Sequence, residues 1–428
     1  MAKPRLRVPT GRLRRLGKVA ALAPRAGVLM AGEVLRHAAG EDPTERVGEV
    51  LFATLGELKA GSLKLGQLFA QVSDGLPEAM RVRLGRLFSR APTLPWEAVA
   101  EVLAAELGPN FEDRFASFEH EPFAGASLGQ VHRATLHDGT MVAVKVQYPG
   151  VAEALQHDLD VVGGLAGSIT GGGMLFDTAA YLTAFRADTL AELDYRVEVA
   201  RLERVAAVVA GWPGLLVPRV HREVCSERVL TCDFLEGPTL HERFEAPGAP
   251  AERRALGFGV VRAVLGPLFA AGVINADAHP GNFVVLADGR LGLLDFGAVT
   301  AVPAELVDGI AALALALMLP QGQDMVAALA GAGMRVTKVD ARTRAVLEEL
   351  ADALGAMLRG PCDFARDTAL ERLGQIKQRN PRQMLHFRPD PGLLPVFRAL
   401  IGVYHALKHL EVVGDLGPVV RALVATRS

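Results

Sequence analysis

The chain has 428 residues, with 46 Lys+Arg against 48 Asp+Glu and a formal net charge of -2. That is about three times a typical domain length, so a lone small module is excluded, and the near-neutral balance argues against nucleic acid as a main partner. Half the residues are hydrophobic and 22% are charged, which suits a large core and excludes a disordered chain.

Lys3, Arg5, Arg7, Arg12, Arg14, Arg15, Lys18 and Arg25 all precede the first acid, Glu33, with no apolar signal-peptide core among them. The plainer reading is a solvated basic arm. The functional reading is peripheral contact with anionic lipid at the inner face of a membrane, where each basic residue contributes about 1 kcal/mol. The longest uncharged stretch, residues 161–176, is broken by glycines and falls short of the roughly 20 residues of a membrane span, so no transmembrane helix is expected. Cys225, Cys232 and Cys362 are too few and too scattered for a disulfide framework or zinc site. A reducing, cytoplasmic location is expected.

Residues 45–71 read as a helix, with Leu51, Leu55, Leu58, Ser62, Leu65 and Phe69 on one stripe. Lys64, Gln67 and Gln71 form a polar stripe on it, beside Gly66. A solvated face is the ordinary meaning of such a stripe, but a glycine inside a helix costs about 1 kcal/mol and marks close approach of another segment. A second helix is predicted from Pro77, then a linker at 91–95 and a helix over 96–107. Three strands follow, over 118–123, 130–136 and 141–147, with Asp138-Gly139 as the hairpin turn of the last two. Helical pattern runs on to about Val209, interrupted by Gly171-Gly172-Gly173. Strands are predicted at 217–220 and 228–234, and past Gly237 the chain reads as helical except for a hairpin over 286–296 around Asp288-Gly289. The Ala/Leu run 310–319 reads as a buried helix. Two lobes with a cleft between them would satisfy this order, and no period repeats.

Asp277, then Asn282 five residues later, then Asp295-Phe296-Gly297 have the spacing of a kinase catalytic loop and its metal-binding aspartate. Phosphoryl transfer needs hard oxygens for Mg2+, which Asn282 and Asp295 would supply, and a carboxylate near the attacking hydroxyl or water, for which Asp277 is placed. Each motif alone is weak, since isolated Asp and Asn residues usually make capped turns; their shared order is far more specific. Val142-Ala143-Val144-Lys145-Val146 resembles the kinase strand whose lysine meets the phosphates. Glu192, Asp194 and Glu198 are the acids that could hold such a lysine; at about 100° per residue Asp194 and Glu198 share one helical face and Glu192 points elsewhere. The phosphate loop is unusual. Ala124-Gly125-Ala126-Ser127 stands where a kinase carries a glycine-rich loop, so the backbone is less free to fold over a phosphate, although the Ser127 hydroxyl could bond one. The backbone of Asp233 to Leu235 is placed to bond an adenine edge. His279 reads as a loop-packing residue and Cys232 as core.

Together these residues resemble the ABC1/ADCK/UbiB (AarF) family of atypical kinases. Lys64-Leu65-Gly66-Gln67 matches its Lys-x-Gly-Gln motif, Ala124-Gly125-Ala126-Ser127 its alanine-rich loop, and Glu192-Leu193-Asp194 its Glu-x-Asp motif. The resemblance implies an α+β, protein-kinase-like, two-lobed fold with a helical N-terminal extension and a mostly helical C-terminal lobe. It implies a Lys145–Glu198 ion pair that orients nucleotide, Lys64 held by Glu192 or Asp194, and catalytic and metal roles for Asp277, Asn282 and Asp295. ATP/ADP and Mg2+ are the implied cofactors, with links to ubiquinone or other isoprenoid-lipid metabolism and little protein phosphorylation. Two positions depart from the family pattern: Gly125 replaces an alanine, and Asn275 stands where His or Gln is usual. The expected organisation is a basic arm over 1–43, a helical extension over 44–115, an N-lobe over 116–236 and a helical C-lobe over 237–428. Competing readings are a nucleotide-gated lipid-binding scaffold and a small-molecule phosphotransferase; the latter gives the Lys64 helix no role.

Overall fold

The computed structural model describes residues 93–126, 128–156, 159, 183, 186–187, 189–246, 248–319 and 323–427. The basic arm, the predicted helices before residue 92 with Lys64 and Gln67, the triple-glycine loop and Ser127 lie outside the described residues. The chain divides into two compact units. The first includes the residues up to 197 that are described, together with Val220–Phe234; the second holds Glu198–Arg219 and Leu235 onward.

In the first unit, α1 (Trp96–Leu107) has the predicted bounds. Pro95 fixes an extended residue before it, and Gly108, at φ 100°, ends it in a conformation that side chains resist. Val99, Val102, Leu103 and Leu107 form its buried stripe. They pack with Val142, Val144 and Val146 of the sheet in one core cluster, where each fully buried side chain contributes about 1.5–3 kcal/mol. The sheet contains β1 (Ser117–Phe118), β2 (Ala124–Gly125), β3 (Gly129–Thr135) and β4 (Met141–Gln147). The helix α2 (Tyr195–Val209) follows, with β5 (Leu215–Leu216) in the second unit, and β6 (Val229–Asp233) completes the first sheet. Strand order is β1-β3-β4-β6, with β2 also on β3, all antiparallel. Between β3 and β4 the turn forms as read: Gly139 takes φ 85° and Asp138 Oδ1 accepts from Thr140 N–H at 2.9 Å.

Three sequence expectations need correction here. The strand expected over 118–123 stops at Phe118, and Pro122, which cannot donate to a ladder, stands before β2. The strand expected at 217–220 is β5, two residues earlier, and past Pro218 only Val220 makes a bridge, to Cys232. The helix expected to run through 192–198 breaks at 192–194. Asp194 Oδ1 accepts from Arg196 N–H at 2.9 Å and caps a new helix at Tyr195, so the shared-face argument for Asp194 and Glu198 does not apply.

The second unit is built on α3 (Pro250–Ala271), which has proline at its start and Gly272 at φ 62° at its end. By length and composition α3 could cross a membrane, but 67% of that window is buried inside the protein, so α3 packs as a core helix here. A Cβ at Gly266 would lie 2.1 Å from the Trp212 ring, and one at Gly257 2.5 Å from Val412 and 2.9 Å from Leu407. Next come β7 (Val273–Asn275), β8 (Phe283–Val285), β9 (Leu291–Leu293) and β10 (Val299–Ala301), arranged as a β5-β9-β8 sheet and a β7-β10 ribbon. The predicted hairpin is therefore β8–β9 around Gly289 at φ 83°; it starts three residues earlier, and Leu294 and Asp295 leave the ladder. The remaining elements are α4 (Ala304–Leu317), α5 (Met325–Gly331), β11 (Met334–Val336), α6 (Ala341–Gly355), β12 (Cys362–Asp363), α7 (Ala369–Arg379), α8 (Pro381–Met384), β13 (Phe387–Pro389), α9 (Leu394–His409), β14 (Val413–Gly414) and α10 (Gly417–Val424). The Ala/Leu run 310–319, which α4 carries as far as Leu317, is half exposed rather than buried: Leu315 keeps 40% and Leu319, past the helix end, 50% of its surface.

Candidate functional site

The loop from β7 to β8 carries Asp277 and Asn282, and Asp295 follows β9. Backbone pairing brings the two stretches together, since β10 returns beside β7 with Val299 opposite Asn275, and Ala276 N–H donates to Ala298 O at 3.1 Å. Asn275 then joins them directly. Its Nδ2 donates to the carbonyl of Asp295 at 2.8 Å and its Oδ1 accepts from Asp277 N–H at 3.0 Å. The residue that departs from the expected pattern is thus the one that ties Asp277 to Asp295.

Asn282 Nδ2 lies 3.2 Å from both Asp277 O and Asp277 Oδ2, which turns its carbonyl oxygen away from Asp277. Asn282 O accepts from Leu294 N–H at 3.0 Å, and Asp295 Oδ1 accepts from Gly297 N–H at 2.8 Å. Asp277, Asn282 and Asp295 are all half-buried. The donor set is a carboxylate and an amide oxygen on rigid backbone. It fits Mg2+, which takes one or two protein oxygens and completes its octahedron with water and phosphate.

Arg201, on α2, was not singled out in the sequence; its Nη1 donates to Gly297 O at 2.6 Å, which fastens the Asp-Phe-Gly turn to that helix. Glu198 is buried in the first turn of α2, and Phe296 is fully buried. Gly402, on α9, was also missed. A Cβ there would sit 2.8 Å from Ala278 Cβ and 3.1 Å from Ala278 O, so α9 presses directly on the loop between Asp277 and Asn282. His279 is exposed, and its Nδ1 accepts from Gly281 N–H at 3.1 Å, a loop role as read.

In the first unit, Lys145 lies on β4 between the core positions Val144 and Val146, so it projects from the sheet face opposite α1. Its Nζ is 5.0 Å from the centroid of the Tyr195 ring, within cation–π range. Tyr195 adjoins Glu192-Leu193-Asp194, whose backbone is held by Gln147 Nε2 donating to Leu193 O at 2.8 Å. Asp194 is paired with Arg196, and that pairing holds its carboxyl below the usual carboxylate range. In the alanine-rich loop Ala126 N–H donates to Gly129 O at 2.8 Å, and Gly125 pairs with Gln130 as ordinary β-strand backbone. At the end of β6, Asp233 Oδ1 accepts from buried His221 Nε2 at 2.8 Å. Leu235, in the second unit, covers Gly292.

Residues 86–329 match the ABC1 atypical kinase-like domain. The chain is 33% identical over 317 residues to the atypical kinase COQ8B, mitochondrial, of Rattus norvegicus, a match covering 71% of this chain and 59% of that protein. It is 31% identical over 306 residues to the atypical kinase COQ8, mitochondrial, of Saccharomyces cerevisiae, covering 68% and 60%. The chain therefore spans about three fifths of these relatives. Among solved structures, the Mycobacterium tuberculosis protein Rv3197, in complex with erythromycin, superposes with a TM-score of 0.62 at 27% identity, over 93% of this chain and 99% of that one. The α+β fold is kinase-like.

Proposed function

Because the chain belongs to the ABC1 atypical kinase-like family, we propose that it is an ATPase or atypical kinase that binds Mg-ATP and serves ubiquinone or other isoprenoid-lipid metabolism, with little protein phosphorylation. The observation that carries this reading is the bonding of Asn275, which presents Asp277 and Asp295 from one rigid loop pair. In this reading Asp277 accepts the proton of the attacking water or hydroxyl, and its carboxylate is oriented by Asn282 Nδ2. The oxygens of Asn282 and Asp295 hold the metal; Mg2+, when bound, neutralises charge on the transferred phosphoryl group. Lys145, beside the Tyr195 ring, meets the phosphates, and Glu198 orients it. The backbone of residues 124–127 closes over the nucleotide and that of 233–235 receives the adenine edge. Lys64 and Gln67, from the Lys-x-Gly-Gln motif, and Glu192 and Asp194, from the Glu-x-Asp motif, are assigned to limiting protein phosphorylation.

The second reading is a nucleotide-gated scaffold for apolar ligands. The capture of erythromycin by the mycobacterial relative and the strand-like, glycine-poor loop favour it. Phosphate release from ATP with Mg2+, with and without anionic liposomes that contain isoprenoid quinone, separates the two. Turnover that rises with such liposomes and is abolished by Asp295→Asn is the expected result. Nucleotide binding with no turnover under any of these conditions would reject the enzyme and leave the scaffold.

A further inference from the structure

Gln130, the second residue of β3, is fully buried and uses every polar atom of its side chain. Its Oε1 accepts from Leu94 N–H at 2.8 Å. Its Nε2 donates to Leu94 O at 3.4 Å and to His132 Nε2 at 3.0 Å. The orientation is fixed from outside. His132 Nδ1 is 2.9 Å from the carbonyl oxygen of Glu119, which can only accept, so Nδ1 carries the proton and Nε2 is the acceptor. The amide nitrogen of Gln130 must then face His132, and its oxygen must face Leu94 N–H. One glutamine amide thereby pairs with the N–H and the C=O of a single residue, much as the opposite residue of a neighbouring antiparallel strand would.

This arrangement needs a neutral His132. Burial holds its imidazole below the ordinary value and His120 pushes the same way, while the Glu119 carbonyl and Glu121 oppose. The Glu119 carboxylate is 3.7 Å from Arg133, and the Trp96 ring stands edge-on to His132 at 5.5 Å.

The two segments joined here are 36 positions apart. Gln130 directly follows Gly129, whose carbonyl closes the alanine-rich loop and whose Cα lies so near β4 that a Cβ would be 2.1 Å from Val146 O. We propose that Gln130 is a positioning residue that latches the chain at Leu94 to the strand leaving the alanine-rich loop, so that Leu94 and that loop order each other. The coupling rests on the reading of residues 124–127 as the nucleotide loop; the latch itself does not. Coupling of this kind is reciprocal: whatever tightens the loop tightens Leu94 by the same factor.

Hydrogen exchange on the full chain tests it, for wild type, Gln130→Leu and the near-isosteric Gln130→Met, with and without the non-hydrolysable analogue Mg-AMPPNP. Without nucleotide, the Leu94 amide is expected to exchange about ten-fold faster in Gln130→Leu, the loss of about 1.4 kcal/mol of net hydrogen bonding. Amides of β4 and β6 should keep wild-type rates. Gln130→Met, which has neither an acceptor for Leu94 N–H nor a donor for Leu94 O, should show the same change if the leucine variant fails to fold. With Mg-AMPPNP, wild type should gain protection at residues 124–132 and at Leu94, and the variants at 124–132 alone. Wild-type exchange at Leu94 in both folded variants would overturn the latch. Absence of nucleotide protection at 124–132 in wild type would instead overturn the nucleotide reading, and the nucleotide-free comparison would still decide the latch.

Discussion

Asn275 shows how much one side chain can settle. From the sequence it was a departure at a position where His or Gln is usual, with its consequence for the loop open. Its amide offers both a donor and an acceptor, and the fold uses the donor on Asp295 O and the acceptor on Asp277 N–H. Asn275→Ala would leave both backbone groups unpaired in a half-buried loop, a cost of about 1–3 kcal/mol. The expected result is a fall in kcat of on the order of ten-fold or more, with KM for ATP changed much less, because in the proposed reaction the groups displaced act on the reacting atoms rather than on the adenine. Steady-state phosphate release checks this; an unchanged kcat would remove Asn275 from the positioning machinery. The types and spacing of Asp277, Asn282 and Asp295 could be read along the chain because the proposed chemistry demands hard oxygens in a fixed order. The long-range partners of Asn275, Gln130 and Arg201 were not, since Asp295 O, Leu94 N–H and Gly297 O are backbone groups in distant stretches that only tertiary folding brings near.

At the scale of elements, α1, the β3–β4 hairpin and the end of α2 lie close to where periodicity placed them, because local patterns and turn residues specify them. The misplaced strands flank Pro122 and Pro218, where ladder bonding overrides apolar pattern. Close approaches of helices were invisible, and they matter unequally. A Cβ at Gly309 would fall 1.8 Å from Gly331 O, at the meeting of α4 and α5, among residues with no assigned chemical role. A Cβ at Gly402 would press on Ala278, between Asp277 and Asn282. Over-packing costs typically 1–3 kcal/mol, and displacement of a reacting group by about 1 Å can cost 100-fold in rate. Gly309→Ala is therefore expected to lower the melting temperature and leave kcat per folded molecule near wild type. Gly402→Ala should lower kcat at least ten-fold with a smaller thermal effect. Thermal melts beside initial rates distinguish the two, and equal rate losses would deny α9 a special hold on the catalytic loop.

For the molecule as a whole, stability against pH should show two separate declines. His132 binds a proton more weakly in the folded chain than in the unfolded one, because it is buried. The unfolded state therefore takes up more protons once pH drops below about 6.5, and stability falls as pH passes down through that value. Asp194 and Asp352, bonded to Arg196 and Arg359, and Asp340, lowered to about 2 mainly by the Thr343 N–H, behave in the opposite chemical sense but the same direction. Their contribution is complete above the usual carboxylate range and is lost as pH falls through their lowered values. Thermal melts from pH 8 to pH 3 should resolve an upper and a lower step, and His132→Gln should abolish only the upper one. A melting temperature that is flat between pH 7 and pH 5 in wild type would contradict this.

The packing of α3 also bears on how the chain is made. The side chains that close over Gly257 come from Leu407 and Val412, some 150 positions downstream. At roughly 5–20 residues per second, a ribosome needs on the order of 8–30 s to deliver them. For that interval the nascent chain carries a 22-residue apolar helix, fit by composition for a bilayer, with its cover over Gly257 still unmade. A product cut short before Leu407 would carry that bare surface permanently, which makes α3 the segment that chaperones would have to shield.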